Sequence, residues 1–192
     1  MQKLPSIILA STSPRRKELL SLAGIDFEIR VAQVREDYSP RIAPAQVPEY
    51  LAKKKATAAQ SLCEETDIIL AADTIVLAGG IILGKPKSLE EAKRYLRILS
   101  GRSHEVITGV CLLQGNRVDS FSEHTRVFFR ELLPEEIDYY VDIFRPLDKA
   151  GAYAIQEWIG IRGVERIEGD YFNVVGLPVS HLTEHLSALK FQ

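Results

Sequence analysis

The stretch "DIILAADTIVLAGGIIL", Asp67 to Leu83, decides the fold class. Isoleucine, valine and leucine dominate on both sides of Asp73-Thr74, a composition that reads as strand. Gly79-Gly80 separates "TIVLA" from "IIL" and reads as a hairpin turn, because such turns need the positive φ that glycine adopts freely. The expectation is a strand, a polar break at Asp73-Thr74, and a hairpin. The stretch continues into "GKP", so that Gly79, Gly84 and Lys85 match all but the last letter of the P-loop G-x-x-x-x-G-K-[ST]. Pro86 stands where the magnesium-holding hydroxyl is required, and it has no N–H to offer a phosphate. A P-loop is therefore excluded. Lys85 remains as a lysine at the exit of a hairpin, able to reach an anion or simply to be solvated.

Outward from this stretch, helical and strand patterns alternate. "SIILAS" reads as a buried strand, and "SPRRKELLSLAG" as a helix with Ser13 at the N-cap, Pro14 at the first position and Gly24 as its stop. "DFEIRVA" alternates as a second strand, "EDYSPRIAP" is a loop, and "PEYLAKKKATAAQSLC" is a helix opened by Pro48. In "SLEEAKRYLRILSG", Ser88 and Glu91 form a capping box, Leu89, Ala92, Leu96 and Leu99 share one face, and Gly101 ends the helix. "HEVITGVCLLQGNRVDSFSEHTRVFFREL" reads as two long strands around Gly115-Asn116, followed by a short helix "PEEIDYYVDIF". "GVERIEGDYFNVVGLP" is strand and turn, and "VSHLTEHLSALK" a final helix. Early alternation followed by a long antiparallel pair indicates a mixed α/β sheet flanked by helices, in one domain spanning residues 1–192.

A chain of 192 residues buries about 70% of its unfolded surface and needs no disulfide or metal to staple it. The net charge of −2 gives no global attraction to nucleic acid or anionic lipid, and no window approaches the ~18 apolar residues of a membrane span. "MQKLPSIILASTSPRR" has one lysine before a very short apolar run, which is not the pattern of a secretory leader. Cys63 and Cys111 sit in no C-x-x-C pair, which fits reduced thiols and a cytoplasmic location.

Five segments carry residues suited to chemistry. "STSPRR", Ser11 to Arg16, lies between strand and helix, where exposed N–H groups attract anions. Arg15 and Arg16 there oppose the helix dipole by roughly 0.3–1 kcal/mol each, a penalty that makes sense if they gather phosphate; the alternative is a capped surface helix with solvated arginines. Asp73-Thr74 offers a carboxylate suited to a metal or to base catalysis, or else a turn aspartate with local hydrogen bonds. Lys85 is the third segment. Of Lys53, Lys54 and Lys55, helical spacing lets at most one or two face a cleft. "PLDKAGAYAIQ" places Asp148, Lys149 and Gln156 around a loop, and the Gln156 amide has a donor and an acceptor side by side that match N3–H and O4 of uracil or thymine. His181 and His185 lack the H-E-x-x-H order and read as surface histidines, and Trp158 and the aromatics of "DYY" and "VFF" as core or interface.

Taken together, "LASTSPRRKELL", "AADTIV", "LGKP", "LSGRSHEVITGV" and "DKAGAYAIQ…NVVGLP" resemble the Maf family of nucleotide pyrophosphatases over nearly the whole chain. The D-K-A-G-x-Y-x-I-Q string, Asp148 to Gln156, resembles the branch acting on dTTP and UTP. The resemblance implies an ITPase-like fold, with an elongated sheet and two lobes around a cleft, often as a homodimer. It implies a divalent metal, Mg2+ or Mn2+, and cleavage of a nucleoside triphosphate between the α and β phosphates. By the family's motifs Asp73 is the catalytic aspartate, and Arg15, Thr74 and Gln156 set base specificity. Ser11, Arg16, Lys55 and Lys85 line the phosphate site, and Glu36 shares the metal with Asp73. Arg145 and Glu157-Trp158 depart from the common pattern, which has an acid before the proline and a glycine after the glutamine. Two other readings stand beside this one: a nucleotide-binding regulator of septum formation, and a pyrophosphatase selective for 7-methyl-GTP. Neither nucleic acid nor membrane is expected as a partner.

Overall fold

A computed structural model describes residues 6–190. The expectation about a leader falls in part on residues 1–5, outside the described residues. The strands are β1 (Ile7–Leu9), β2 (Glu28–Ile29), β3 (Ile68–Ala78), β4 (Ile81–Leu83), β5 (Ser103–Gln114), β6 (Arg117–Phe129) and β7 (Val164–Glu168). The helices are α1 (Pro14–Leu22), α2 (Val47–Ala59), α3 (Leu89–Leu99), α4 (Pro134–Phe144), α5 (Trp158–Gly163), α6 (Tyr171–Val175) and α7 (Val179–Lys190). The seven strands form one mixed sheet in the order β2-β1-β3-β5-β6-β7, with β4 paired to β3. β1 runs parallel to β2 and β3, with Ile7 opposite Ile68 and Leu9 opposite Leu70, whereas β4 and β7 pair antiparallel to β3 and β6. The expected mixed α/β class is therefore the observed one.

The hairpin forms at Gly79-Gly80, whose φ values of 56° and 82° are both positive. Asp73-Thr74 does not break the strand: β3 runs unbroken from Ile68 to Ala78. Strand hydrogen bonds belong to the backbone, so two polar side chains on the pleat leave the ladder intact. "DFEIRVA" yields only Glu28–Ile29, both exposed, because the partner strand β1 is itself only three residues long and β2 is an edge. Ser13 occupies the N-cap of α1, yet its side chain makes no capping bond; the Ser11 hydroxyl instead accepts from the Ser13 N–H at 3.2 Å. In α3 the Ser88 hydroxyl accepts from the Glu91 N–H at 3.1 Å, and Glu91 reaches back to the Lys87 N–H at 2.7 Å, one residue short of a strict capping box. α2 ends at Ala59 and passes into a 3-10 turn over Gln60–Leu62. The short helices α5 and α6 have no counterpart in the periodicity reading.

The chain divides into two compact units, residues 6–73, 108–123 and 176–190, and residues 74–107 and 124–175. In the first unit Ala52, Ala56 and Ala59 pack with Ala10, Ile69, Ala71, Cys111 and Leu113. The alanines lie one helical turn apart on one face of α2. Their small size lets the helix lie close to the sheet, and at Gly109 on β5 a Cβ would stand 2.1 Å from the Glu49 nitrogen. In the second unit Ala92, Leu96 and Leu99 of α3 pack with Ile137, Tyr140 and Val141 of α4 over Val106, Val127 and Phe129. This is the α3 face that the sequence periodicity picks out, with Leu89 partly buried at its edge.

Candidate active site

The first unit assembles its polar cluster at the C-terminal end of β1. The Ala10 N–H donates to Leu70 O at 2.8 Å, so the chain leaves the sheet beside β3 just before Ser11, and α1 begins there. A helix N-terminus at the carboxyl end of a parallel strand is where doubly wound sheets receive anions. Arg16 is buried; its Nη1 donates to the Ser11 hydroxyl at 3.2 Å and its Nε to Gly176 O at 3.0 Å. Burial lowers its pKa from the ordinary arginine value, with the Asp73 carboxylate pulling the other way and Arg15 reinforcing the fall. A guanidinium keeps its charge regardless. The result is a buried cation fixed by a hydroxyl and a carbonyl, close enough to feel Asp73, Glu36 and half-buried Arg15.

The Lys55 ammonium lies 2.5 Å from Asp73 Oδ1 and 2.7 Å from Glu36 Oε1. Spacing on α2 explains why this lysine is the one: Lys55 is three residues from Ala52 and four from Ala59, along the face that packs on the sheet. Lys53 turns to Glu49 at 2.8 Å, and Lys54 to Asp37, on the outer faces. Asp73 and Glu36 differ in setting, with side-chain exposures of 13% and 53%. Burial raises the Asp73 pKa above the ordinary carboxylate value, opposed by Lys55 and then Arg16, and reinforced by Glu36. Two hard carboxylates already turned to one cation form a donor set that suits Mg2+ or Mn2+, ions held by one or two protein carboxylates together with water and substrate oxygens. Among the described residues no group of three or more His, Cys, Asp and Glu side chains is placed to hold a metal alone.

The second unit carries the other expected residues. Thr74 follows Asp73 on β3 and is half-buried. Lys85 is exposed and makes no hydrogen bond or ion pair among the described residues. Gln156 is exposed after a run of buried residues from Gly151 to Ile155. The Gly151 N–H donates to Gly84 O at 3.1 Å, which joins the loop of Gln156 to the turn of Lys85. Lys149 is buried and contacts Asp148 Oδ1 at 2.7 Å and Glu157 Oε1 at 3.3 Å. The Tyr140 hydroxyl donates to Glu157 Oε2 at 3.2 Å, and burial first, then that carboxylate, pushes the Tyr140 pKa up. Glu157, which stands where the family resemblance expects glycine, thus ties α4 to the loop.

Ser11, Arg16, Glu36, Lys55 and Asp73 are brought together in the first unit, and Thr74, Lys85 and Gln156 belong to the second. His181 and His185 bond Glu123 and Asp119, each at 2.7 Å, and latch α7 to β6. Cys63 and Cys111 are free thiols, and burial pushes Cys111 up to about 11. Of the aromatics expected in core or interface, Phe129 and Tyr140 are buried in the second core and Trp158 packs partly buried against it, whereas Tyr139 is exposed. Sequence reasoning missed the Gly176 carbonyl as the anchor of Arg16, and Glu157 as the partner of Lys149. The string "NVVGLP" and the pair Glu157-Trp158 stand in the sequence, but carbonyl acceptors and pairings across the fold leave no local pattern.

A buried arginine, a lysine and two carboxylates beside the end of a parallel strand make a group of side chains chemically suited to a phosphorylated ligand, on a mixed α/β fold. Residues 6–189 match the family described as Maf-like protein, and the chain belongs to the Maf family. It is 48% identical over 184 residues to a dTTP/UTP pyrophosphatase of Phocaeicola vulgatus, covering 95% of both chains. It is 48% identical to the dTTP/UTP pyrophosphatase of Bacteroides thetaiotaomicron, again over 95% of both. It is 49% identical over 183 residues to that of Porphyromonas gingivalis, covering 94% of this chain and 92% of the relative. A solved structure, that of the Staphylococcus aureus Ham1 protein, matches 65% of this chain and 71% of its own at 16% identity, with a TM-score of 0.45. No helix among the described residues is long and apolar enough to cross a membrane.

Proposed function

We propose that the protein hydrolyses dTTP and UTP to the monophosphate and pyrophosphate. The observation that carries the reading is the Lys55 ammonium set between Asp73 and Glu36, at 2.5 and 2.7 Å, beside the buried Arg16. The names of the relatives supply the substrate class. Water attacks the α-phosphorus and pyrophosphate leaves. Asp73 orients the water and takes its proton, a role suited to a carboxylate whose basicity is raised by burial. Arg16, Lys55 and Lys85 hold phosphate oxygens where charge develops, and the Ser11 hydroxyl keeps Arg16 aimed. Glu36 and Asp73 would hold a divalent cation, which when bound neutralises charge on the phosphate oxygens.

Gln156 reads the base through paired hydrogen bonds to N3–H and O4, with Thr74 and Arg15 fixing its placement. C5 goes unread, so dTTP and UTP serve alike. CTP reverses both groups and leaves the amide mispaired. The reading also includes a cytoplasmic homodimer and a single functional domain. Pyrophosphate release from dTTP, UTP, CTP and 7-methyl-GTP, with Mg2+ and with Mn2+, tests it. The first two should turn over far faster than the others. Nucleotide binding without release would make the chain a regulator, and preference for 7-methyl-GTP would reassign Gln156.

A further inference from the structure

The second unit holds a buried polar pair that the mechanism above does not use. His104, the second residue of β5, is 3% exposed, and its Nε2 lies 2.7 Å from the Tyr153 hydroxyl. The imidazole stacks on Phe129 with ring centroids 5.6 Å apart, and Tyr153 stands edge-on to both rings. His104 Nδ1 has no hydrogen-bond partner among the described residues. Burial lowers the His104 pKa to about 4, so the ring is neutral and carries one N–H. If Tyr153 donates to Nε2, the Nδ1 proton is orphaned; if Nε2–H donates, Nδ1 is a buried acceptor with nothing to accept. Either way the pair carries an unsatisfied atom that an apolar pair of the same size would not, and a buried group of this kind needs a reason.

The reason lies in the chain just before Tyr153. Gly151 and Ala152 both sit in the left-handed region, at φ 66° and 61°. For buried Ala152 that conformation is strained, and it persists only where the surroundings over-determine it. Three features do so. Gly151 lies so close to Val76 of β3 that a Cβ there would stand 2.9 Å from Val76 Cγ2, which leaves no room for a side chain. The Gly151 N–H is bonded to Gly84 O, next to Lys85. Beyond the turn, the Tyr153 hydroxyl is pinned to His104 on β5. Gln156 emerges three residues later.

We propose that His104 is a positioning residue: through the Tyr153 hydroxyl it holds the Gly151–Ala152 turn in its left-handed form and so sets the loop from Asp148 to Gln156. The effect on substrate choice rests on the reading of Gln156 given above; the effect on the loop does not.

Three variants, Tyr153→Phe, His104→Ala and His104→Gln, separate these levels, with Gln156→Ala as reference. Amide hydrogen exchange is measured at residues 150–156 and at the interior of β5, together with the kcat/KM ratio of UTP to CTP. In Tyr153→Phe, which keeps the ring and removes only the hydroxyl, exchange at 150–156 should quicken by about threefold to tenfold, the worth of one hydrogen bond, while β5 is unchanged. The UTP to CTP ratio should fall, chiefly through KM for UTP. His104→Gln, whose amide reaches the place of Nε2, should recover part of what His104→Ala loses. Unchanged exchange at 150–156 in both Tyr153→Phe and His104→Ala, even with a lowered Tm, overturns the proposal and leaves a packing role. If the loop loosens but Gln156→Ala keeps the native ratio, the positioning stands and the base-reading role of Gln156 falls.

Discussion

Replacing Asp73 with Asn separates the catalytic role proposed for this carboxylate from its effect on stability. The exchange is nearly isosteric, so the packing of β3 is kept, and the amide oxygen can still accept from Lys55. With Asp73 as the general base proposed above, turnover should fall by about 10²–10⁴-fold, of the same order as the ~3–4 kcal/mol lost with one preorganised polar group. Stability should move the other way. The Lys55 contact at 2.5 Å is a charge-assisted bond of about 1.5–3 kcal/mol, yet burying a carboxylate has a penalty of several kcal/mol. The folded-state pKa of Asp73 is raised in spite of Lys55 and Arg16, so burial outweighs both. A raised carboxyl pKa means that the native state is favoured by protonation. Its contribution is present at pH below the unfolded value and is lost as pH rises through the folded one. At neutral pH the wild type therefore carries an ionised, unfavourably buried group that Asp73→Asn lacks. The variant should unfold at higher urea concentration than wild type at pH 7.5, and that advantage should shrink as pH falls and Asp73 becomes protonated. Pyrophosphate release from UTP and urea unfolding at the two pH values are the assays. Near-normal turnover rejects Asp73 as base, and a variant less stable than wild type at neutral pH refutes the claim that burial dominates.

Lys55→Ala should lower kcat/KM for UTP by about 10²-fold or more, whereas Lys54→Ala, which removes only an exposed partner of Asp37, should stay within about twofold in the same assay. Gly109→Ala would press a Cβ into the α2 backbone at Glu49 and push the helix off the sheet; a loss of stability of about 1–3 kcal/mol or more, read by urea unfolding, should come with a raised KM as Lys55 shifts. Ser88→Ala removes the α3 cap that accepts from Glu91 and should cost about 1 kcal/mol in unfolding while leaving kcat unchanged. Gln156→Ala should cut the preference for UTP over CTP by at least about tenfold, with stability unaltered because the side chain is exposed.

What the amino-acid order shows clearly here is whatever the chain decides locally. Gly79-Gly80, Gly115-Asn116, the Ser88 cap and the apolar face of α3 all depend on neighbours within a few residues, and each appears where the pattern places it. "DFEIRVA" promises a longer strand than forms, because a strand's length is set by its partner, and β1 offers three residues. Asp73-Thr74 suggests a break that β3 does not have, because side-chain polarity says little about a backbone ladder. In the candidate site, the choice of Lys55 over its neighbours follows from the alanine face of α2. The meeting of Glu36 from an irregular segment with Asp73 from mid-strand does not follow from any spacing; family resemblance pointed to it, and geometry supports it. Gly176 O, Glu157 and the His104–Tyr153 pair join positions far apart in the chain, where periodicity carries no signal.

The most direct measurement of the central claim is hydrolysis of UTP in 18O-labelled water with Mg2+, followed by phosphorus NMR and mass spectrometry. UMP should carry the label on its phosphate, with pyrophosphate unlabelled. Label in pyrophosphate, or release of UDP and inorganic phosphate, would contradict attack at the α-phosphorus by a water held at Asp73.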